Sequence, residues 1–258
     1  MVKIIDINSE NVGEYGLFCR KSYMKEEGNK KKVHWLKKRF EEGLKYKLLL
    51  VKERGKLNSR GFIEYIPGEF AWRGINAKGW MSIICLWVTG QAKKKGYGSK
   101  LLNEAIKDAK EKGMNGVVGM TAKKQGWLPR PDIYEKNGFE MVDEYEPYFG
   151  LYAKSLKKDA PTPTFIKSLS DNRIKYSEGI TVFYTHQCPH ILNMIKEIEE
   201  LAKNENIPIR LELLSSAKDV KEKAIHPYGV FSVLYKGELI TYKPGMRKET
   251  LERLKERF

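Results

Sequence analysis

The chain has few cysteines, no long apolar run and no apolar block at its start. Its three cysteines, Cys19, Cys85 and Cys188, are an odd number spread over 258 residues, which excludes the disulfide framework of a small secreted domain. A membrane-spanning helix needs about 18 consecutive apolar residues, and the sequence contains no such run. Residues 1–6 have the pattern of a strand and lack the apolar core of a signal peptide. These absences predict a cytoplasmic protein without a membrane-spanning helix.

Acidic residues are also in short supply. There are 33 Asp and Glu against 48 Lys and Arg, so the formal net charge is +15. Such a charge favours contact with nucleic acid, anionic membranes or acidic substrates, but no recognised nucleic-acid-binding motif accompanies it. The basic residues alternate with acidic or apolar ones, as they do on solvated helix faces. We therefore do not expect nucleic acid as a partner, and an RNA- or ribosome-associated modifying enzyme is kept only as a less favoured alternative.

The order of apolar patterns predicts an α/β fold in two parts. Up to about residue 155, helical periodicity and strand patterns alternate in a way that predicts a mixed sheet. Residues 155–164 are charged and proline-rich, as linkers often are. The remaining residues have the patterns of a smaller α/β unit. The predicted division is therefore a first domain over 1–155, a linker over 156–178 and a second domain over 179–258.

The most informative stretch is a basic loop with two glycines, KKKGYG at 93–98. It lies between an apolar strand pattern over 83–88 and an amphipathic helix pattern that begins near Leu101. This order brings unpaired backbone N–H groups and the positive end of a helix dipole to one point. Gly96 and Gly98 let a ligand approach the backbone without side-chain interference. The loop is therefore predicted to bind phosphate.

Spacing excludes two common nucleotide-binding loops, because the third glycine of a dinucleotide fingerprint and the Gly-Lys-Ser/Thr of a P-loop are both missing. What is present resembles the GNAT family of acetyl-CoA-dependent N-acetyltransferases over residues 1–155. The resemblance rests on Leu86-x-Val88, on Gly96-x-Gly98 eight residues past Val88, and on the later Tyr134-x-x-x-Gly-Phe. One departure is a lysine at position 93, where the family has Arg or Gln. Lysine keeps a donor but lacks the bidentate fork of arginine.

The resemblance implies acetyl-CoA as co-substrate and assigns residues to it. Backbone groups of Leu86 and Val88 would hold the pantetheine arm, and the Val88 N–H would stabilise the oxyanion. Tyr134 would protonate the departing sulfur, the alternative being an ordinary aromatic side chain packed in the core. The pyrophosphate would be held by main-chain N–H groups of Lys93, Lys94, Lys95, Gly96, Tyr97, Gly98, Ser99 and Lys100.

The general base is harder to assign. An amine must lose a proton before it attacks a thioester, yet the predicted central strand over 80–88 carries no carboxylate. Glu64 and Glu69, near the end of the neighbouring strand, are the closest candidates in sequence. A water relay is an equal alternative, and a solvated surface position is the commoner role for either glutamate. Glu64 is the candidate base that we take forward.

The second domain resembles a thioredoxin or glutaredoxin fold in its element order, βαβ(α)ββα, and is similar to the C-terminal part of YoaP-type GNAT proteins. Cys188 follows a strand and opens a helix, where such folds place a nucleophilic cysteine with a lowered pKa. Ile191 stands where a second cysteine would complete a Cys-x-x-Cys pair. Val230 stands near the place of the proline that precedes the third strand. Both departures argue against ordinary disulfide exchange.

A thioredoxin-like fold would also bring His186, His190 and His226 close to Cys188. Two hypotheses follow, an activated monothiol and a soft-metal site of the Cys/His type. The alternative, which the sequence favours, is a degenerate thioredoxin fold used for packing or substrate recognition. No metal ligand is assigned from the sequence.

Together these observations predict an N-acetyltransferase that moves an acetyl group from acetyl-CoA directly to a primary amine. The competing interpretation is an acetyl-CoA-binding sensor with a monothiol or metal-binding thioredoxin-like domain. The sequence identifies neither the acceptor amine nor the oligomeric state.

Overall fold

The protein is described here from a computed structural model covering residues 1–124, 127–245 and 247–258. The chain forms two units. The first contains Met1–Lys21, Leu36–Ala71 and Ile75–Phe165, and the second contains Ser22–Trp35, Trp72–Gly74 and Ile166–Phe258. Two segments of the predicted first domain, 22–35 and 72–74, thus group with the C-terminal part of the chain. A division drawn along the sequence cannot show this, because residues far apart in sequence pack together in space.

A seven-stranded mixed sheet organises the first unit. Its strand order is β1-β2-β3-β5-β6-β8-β7, and all neighbours are antiparallel except β5 and β6. The strands are β1 (Val2–Ile7), β2 (Lys45–Glu53), β3 (Lys56–Pro67), β4 (Ile75–Asn76), β5 (Met81–Val88), β6 (Gly116–Ala122), β7 (Glu140–Tyr145), β8 (Phe149–Ser155) and β9 (Thr164–Phe165). The short strands β4 and β9 form a separate pair.

Helices cover the sheet of the first unit. They are α1 (Val12–Tyr15), α2 (Glu27–Glu41), whose last six residues belong to this unit, α3 (Tyr97–Glu111) and α4 (Pro131–Glu135). Short 3₁₀ turns occur at Lys21–Tyr23, Gly68–Phe70 and Gly90–Ala92. Helix α3 buries Leu101, Leu102, Ala105 and Ala109, which recur three and four residues apart on one helix face. This face packs on the apolar side of β3, β5 and β6, and truncating a buried leucine there would cost about 2–5 kcal/mol.

A four-stranded mixed sheet organises the second unit, in the order β11-β10-β12-β13. Strands β10 and β11 are parallel, whereas β12 is antiparallel to both of its neighbours. The elements are β10 (Ile180–Tyr184), α5 (Ile191–Asn204), β11 (Ile209–Leu213), α6 (Ala217–Lys223), β12 (Phe231–Tyr235), β13 (Glu238–Thr241) and α7 (Arg247–Lys255). They are preceded by a 3₁₀ helix, Lys167–Lys175, within the segment predicted to be a linker.

Local sequence signals explain the helices of the second unit. Helix α5 buries Ile191, Met194, Ile195, Ile198, Leu201 and Ala202, again at helical spacing. Helix α6 begins with a capping box, in which Ser216 accepts from the Asp219 N–H at 3.0 Å and the Asp219 carboxylate accepts from the Ser216 N–H at 3.1 Å. Within the described residues, no helix combines the length and the apolar character needed to cross a membrane.

Candidate active site

Strands β5 and β6 part in the middle of the first unit's sheet. Their parallel ladder joins Met81, Ser82 and Ile83 to residues 117–119, and within the described residues it ends there although both strands continue. On its other side, β5 pairs with β3 through a bulge in which Ile84 is the extra residue. A bulge bends the strand that carries it. The sheet therefore opens between β5 and β6 beyond Ile83.

The main chain of Leu86 and Val88 faces this opening. The Thr89 N–H donates to the Arg60 carbonyl of β3 at 2.9 Å, and the Trp87 carbonyl lies against β3 at Gly61. Residues 87 and 89 thus direct their backbone groups toward β3. Because successive residues of a strand direct these groups to opposite sides, those of Leu86 and Val88 face the β6 side. A donor and an acceptor from each residue therefore line the gap.

The basic loop enters α3 directly after this opening. Gly96 is the N-cap residue, with φ of +73°, and within the described residues no side chain caps this end of the helix. The side chains of Lys93, Lys94, Lys95 and Lys100 are exposed. The space beside the Gly96 α-carbon is open. Backbone N–H groups, the positive end of a helix and several exposed lysines thus surround open space at this loop.

The two glycines of the loop serve different purposes. Gly96 adopts a left-handed conformation that glycine reaches without strain. Gly98 lies against α4, and a β-carbon there would come within 2.3 Å of Ile133 Cδ1. The end of α4 is also tied to α3, because Asn137 Nδ2 donates to the Ser99 hydroxyl at 3.0 Å. The loop is therefore held in place by the short helix that carries Tyr134.

Tyr134 is fully buried, and its hydroxyl end lies at the point where β5 and β6 part. A β-carbon built on Gly119, the last β6 residue of the parallel ladder, would be 2.3 Å from the Tyr134 oxygen. The ring packs against Phe139 and Tyr152, with centroid separations of 5.1 and 6.1 Å. No role was predicted for Gly119 from the sequence. A glycine inside a buried strand pattern is a signal of close approach that would have found it.

Glu64 lies in a row of three side chains across the sheet. Tyr46 of β2, Glu64 of β3 and Cys85 of β5 are directly opposite one another, so their side chains share one face. Only 1% of Glu64 is exposed. Burial, followed by electrostatic interaction with Cys19, Glu64 and Cys85, raises the pKa of Tyr46 well above its usual range. Cys19 therefore lies near the same cluster.

Glu69 has a different environment. It is exposed, and its carboxylate accepts a hydrogen bond from the Gly79 N–H at 2.9 Å, which ties two loops together. Of the two glutamates singled out from the sequence, only Glu64 is a buried carboxylate directly opposite β5. The geometry therefore favours Glu64 as the candidate base. The sequence did not predict a role for Tyr46 or Cys85, because only the strand register shows that they flank Glu64.

In the second unit, Cys188 lies just before α5, half-buried and outside any disulfide. Helix α2 packs on this loop, and a β-carbon on Gly28 would come within 2.4 Å of the Pro189 carbonyl oxygen. Burial and then the charges of Lys31 and His34 lower the pKa of His186. The N-terminal half of α2 thus brings the fourth histidine, His34, near His186. The sequence did not predict this neighbour, because His34 and His186 are far apart along the chain.

His226 is held inside the second unit by its own contacts. Its Nδ1 accepts from the Tyr228 N–H at 3.0 Å, and its ring stacks on Tyr242 with a centroid separation of 4.8 Å. Burial, followed by the charge of Arg173, lowers the pKa of His226 to about 3, so the imidazole is neutral at pH 7. Among the described residues, no three His, Cys, Asp or Glu side chains form a group that could hold a metal ion. The activated Cys188 thiol stays a prediction.

Comparisons with known proteins show which family the chain is similar to. The model of the acetyltransferase (GNAT) family matches residues 17–139. The uncharacterized N-acetyltransferase YoaP of Bacillus subtilis (strain 168) is 35% identical over 241 residues, which cover 93% of each protein. Among solved structures, a GNAT acetyltransferase of Staphylococcus aureus Mu50 is 19% identical with a TM-score of 0.41, covering 61% of this chain and 100% of that one. The acetyltransferase yncA of Salmonella typhimurium, solved with acetyl-CoA, is 13% identical with a TM-score of 0.44, covering 62% and 97%.

Proposed function

The chain belongs to the GNAT acetyltransferase family, whose co-substrate is acetyl-CoA, and from this premise we propose that its first unit transfers the acetyl group directly to a primary amine. One observation carries the proposal. The β5–β6 ladder ends at Ile83 and Gly119, the Tyr134 hydroxyl lies at that point, and Glu64 lies on the strand next to β5. A binding gap, an acid and a base are thus grouped around one strand.

Acetyl-CoA, when bound, supplies the thioester whose acyl group is transferred. The N–H groups of residues 93–100 at the start of α3 would hold its pyrophosphate. Backbone groups of Leu86 and Val88, which face the β5–β6 gap, would hold the pantetheine arm by strand-like hydrogen bonds. Binding both reactants next to β5 offsets much of the entropy cost of bringing them together.

Three groups of this chain would then carry the proton and charge movements. The Glu64 carboxylate takes a proton from the attacking ammonium, which leaves a neutral amine. The Val88 N–H donates to the carbonyl oxygen as negative charge develops on it, a contribution of about 10²–10³ in rate for such donors. The Tyr134 hydroxyl gives its proton to the departing sulfur and regains one, through water, from the nitrogen of the collapsing intermediate, while Glu64 releases its proton to solvent. General acid and base groups each contribute roughly 10²–10⁴.

Direct transfer needs a test, because Cys85 lies directly opposite Glu64 and its thiol is a second nucleophile beside the candidate base. If the acetyl group passed through this thiol, acetyl-CoA alone would acetylate the protein. Intact-mass measurement after incubation without amine should therefore show no added acetyl group. Cys85→Ala should also keep most of the wild-type turnover. An acetylated Cys85 would contradict direct transfer.

The activity itself is tested by following release of the coenzyme A thiol across a panel of primary amines. Glu64→Gln keeps the shape of the side chain but removes the base, so kcat should fall by roughly 10²–10⁴. Glu69→Gln is the matched control, since a glutamine can still accept from the Gly79 N–H, and it should retain wild-type kcat. Equal activity of the two variants would remove Glu64 from the mechanism.

We also propose a thioredoxin-like fold for the second unit. Its support is the order βαβαββα together with the strand order β11-β10-β12-β13, in which only the first pair is parallel. Cys188 then lies at the strand-to-helix junction, where a helix N-terminus favours the thiolate. An activated monothiol is the chemistry that this position offers.

A further inference from the structure

An open cleft of about 650 Å³ lies at the tip of the β2–β3 hairpin in the first unit. None of the residue roles proposed above uses it. Its lining residues are Glu53, Arg54, Lys56, Asn58, Arg60 and Gly90. Three of these six residues are cationic and one is acidic, so the cleft favours an anion.

The backbone explains why these charges converge. Arg54 and Gly55 form a two-residue hairpin turn in which both φ angles are positive, +48° and +80°, and which sets Glu53 directly opposite Lys56. Farther along β3, Arg60 is the extra residue of a bulge, because Ser59 and Gly61 pair with consecutive residues of β2. Bulges redirect side chains. Here the Arg60 guanidinium turns toward the hairpin and donates from Nε to Glu53 at 2.9 Å.

Among the described lining residues the one acid, Glu53, is already paired with Arg60. The hydrogen bond from Arg60 is the main cause of a lowered pKa of Glu53, and the charges of Lys95 and Arg54 lower it further. Arg54 and Lys56 are exposed, and the contacts described here engage neither of them with a carboxylate. The cleft therefore keeps an excess of positive charge after its internal ion pair is counted.

The cleft adjoins the phosphate-binding loop. Gly90 lines it and begins the turn that leads into the loop, where the Lys93 N–H donates to the Gly90 carbonyl at 3.2 Å. Lys95 belongs to the loop, yet its charge acts on Glu53 in the cleft. An anion in the cleft would thus be a near neighbour of a pyrophosphate at the start of α3.

We propose that this cleft binds a phosphate monoester, namely the 3′-phosphate that coenzyme A carries on the ribose beside its pyrophosphate. The assignment rests on the proposed function, because it takes the pyrophosphate to lie at residues 93–100. Arg54 and Lys56 are the groups that would contact the phosphate. Arg60 would be shared between the phosphate and Glu53.

The test compares coenzyme A with 3′-dephospho-coenzyme A by isothermal titration calorimetry, so that its readout is binding and not turnover. Wild type should bind dephospho-coenzyme A roughly tenfold more weakly, the low end for charge-assisted hydrogen bonds in an exposed cleft. In Arg54→Asn/Lys56→Gln the two ligands should bind within about twofold of each other, because the contacts that distinguish them are gone. Asn suits the positive φ of position 54.

Glu53→Gln should change the preference in the opposite direction. It removes the acid and releases Arg60, so the preference for coenzyme A should rise by several-fold, on the order of one charge-assisted hydrogen bond. Lys52→Gln is the control: it lies next to Glu53 on β2 but on the other face of the strand, and it should leave the preference unchanged.

A wild type that binds the two ligands equally would overturn the proposal. So would an Arg54→Asn/Lys56→Gln variant that weakens both ligands in parallel, since that result indicates general electrostatic attraction. The titrations can be repeated with inorganic phosphate as a competitor. If phosphate weakens the binding of dephospho-coenzyme A as much as that of coenzyme A, the 3′-phosphate does not bind in the cleft. If neither ligand bound to wild type, the proposed function itself would fail, which is a separate outcome.

Discussion

Replacing Gly119 by alanine should disable the enzyme without removing any group that reacts. The new β-carbon would lie 2.3 Å from the Tyr134 oxygen and 2.6 Å from two of its ring carbons. Ordinary contact begins at 3.4 Å, so the hydroxyl must move by about 1.1 Å, the difference between the two distances. The ring has little room to move, because Tyr134 is fully buried between Phe139 and Tyr152.

The expected magnitude follows from that displacement. Misplacing a catalytic group by about 1 Å can cost roughly 10²-fold in rate. Overpacking of this kind also destabilises by about 1–3 kcal/mol, so the variant should still fold. We therefore expect kcat to fall by about 10²-fold at saturating acetyl-CoA, measured by thiol release. Thermal unfolding followed by circular dichroism would measure the accompanying loss of stability.

Gly150→Ala is the matched control for this experiment. Its β-carbon would come within 2.9 Å of the Tyr152 ring and 3.1 Å of the Thr121 hydroxyl, in the same sheet, and Tyr134 is not among its nearest neighbours. It should lose comparable stability and keep most of its turnover. If Gly119→Ala has wild-type kcat, or if Gly150→Ala loses as much kcat, the position of the Tyr134 hydroxyl does not govern the reaction.

Three further predictions follow from the two units. Tyr134→Phe should lower kcat by roughly 10²–10⁴, whereas Tyr152→Phe, which loses only a hydroxyl bonded to Glu135 at 2.9 Å, should not; equal kcat in the two would exclude the acid role. The pKa of His226 is about 3 in the folded protein, against an ordinary value of 6.5, so protonation of this histidine favours the unfolded chain. The free energy of unfolding should therefore be unaffected by His226 above pH 6.5 and fall by about 3 kcal/mol on going to pH 4. Denaturant unfolding at both pH values should show this loss in wild type and not in His226→Gln; an equal loss in both would contradict it. Cys188 should react with iodoacetamide faster than Cys19 by mass spectrometry, and zinc retained in dialysis by wild type but not by Cys188→Ser would instead indicate a metal site.

The first unit could be predicted closely because its signals are local. The sequence KKKGYG after an apolar run already predicts a strand, a phosphate-binding loop and a helix, and the structure has β5, the turn at 93–96 and α3 in that order. Similarly, the element order of residues 179–258 agrees with the helices and strands observed there. Each of these inferences uses residues that are neighbours in sequence.

The surroundings of the candidate base, Glu64, could not be predicted from local signals. Tyr46, Glu64 and Cys85 come from three strands, and only the register of β2, β3 and β5 makes them neighbours. A slip of one residue would have turned Glu64 to the other face. The basic cleft could not be predicted for the same reason, because it depends on a bulge at Arg60 that no local sequence pattern indicates.

The sequence by itself therefore determined the family and the co-substrate and predicted a loop to bind it, because those depend on motifs whose residues lie close together along the chain. Tertiary structure alone decided that β5 and β6 part at Gly119, that Glu64 and not Glu69 is buried opposite the central strand, and that residues 22–35 join the C-terminal unit. These features depend on strand register and on packing between distant segments. Strand register and long-range packing are determined by contacts between side chains that are far apart in sequence. The pattern of residues along the chain does not indicate which of these side chains come into contact.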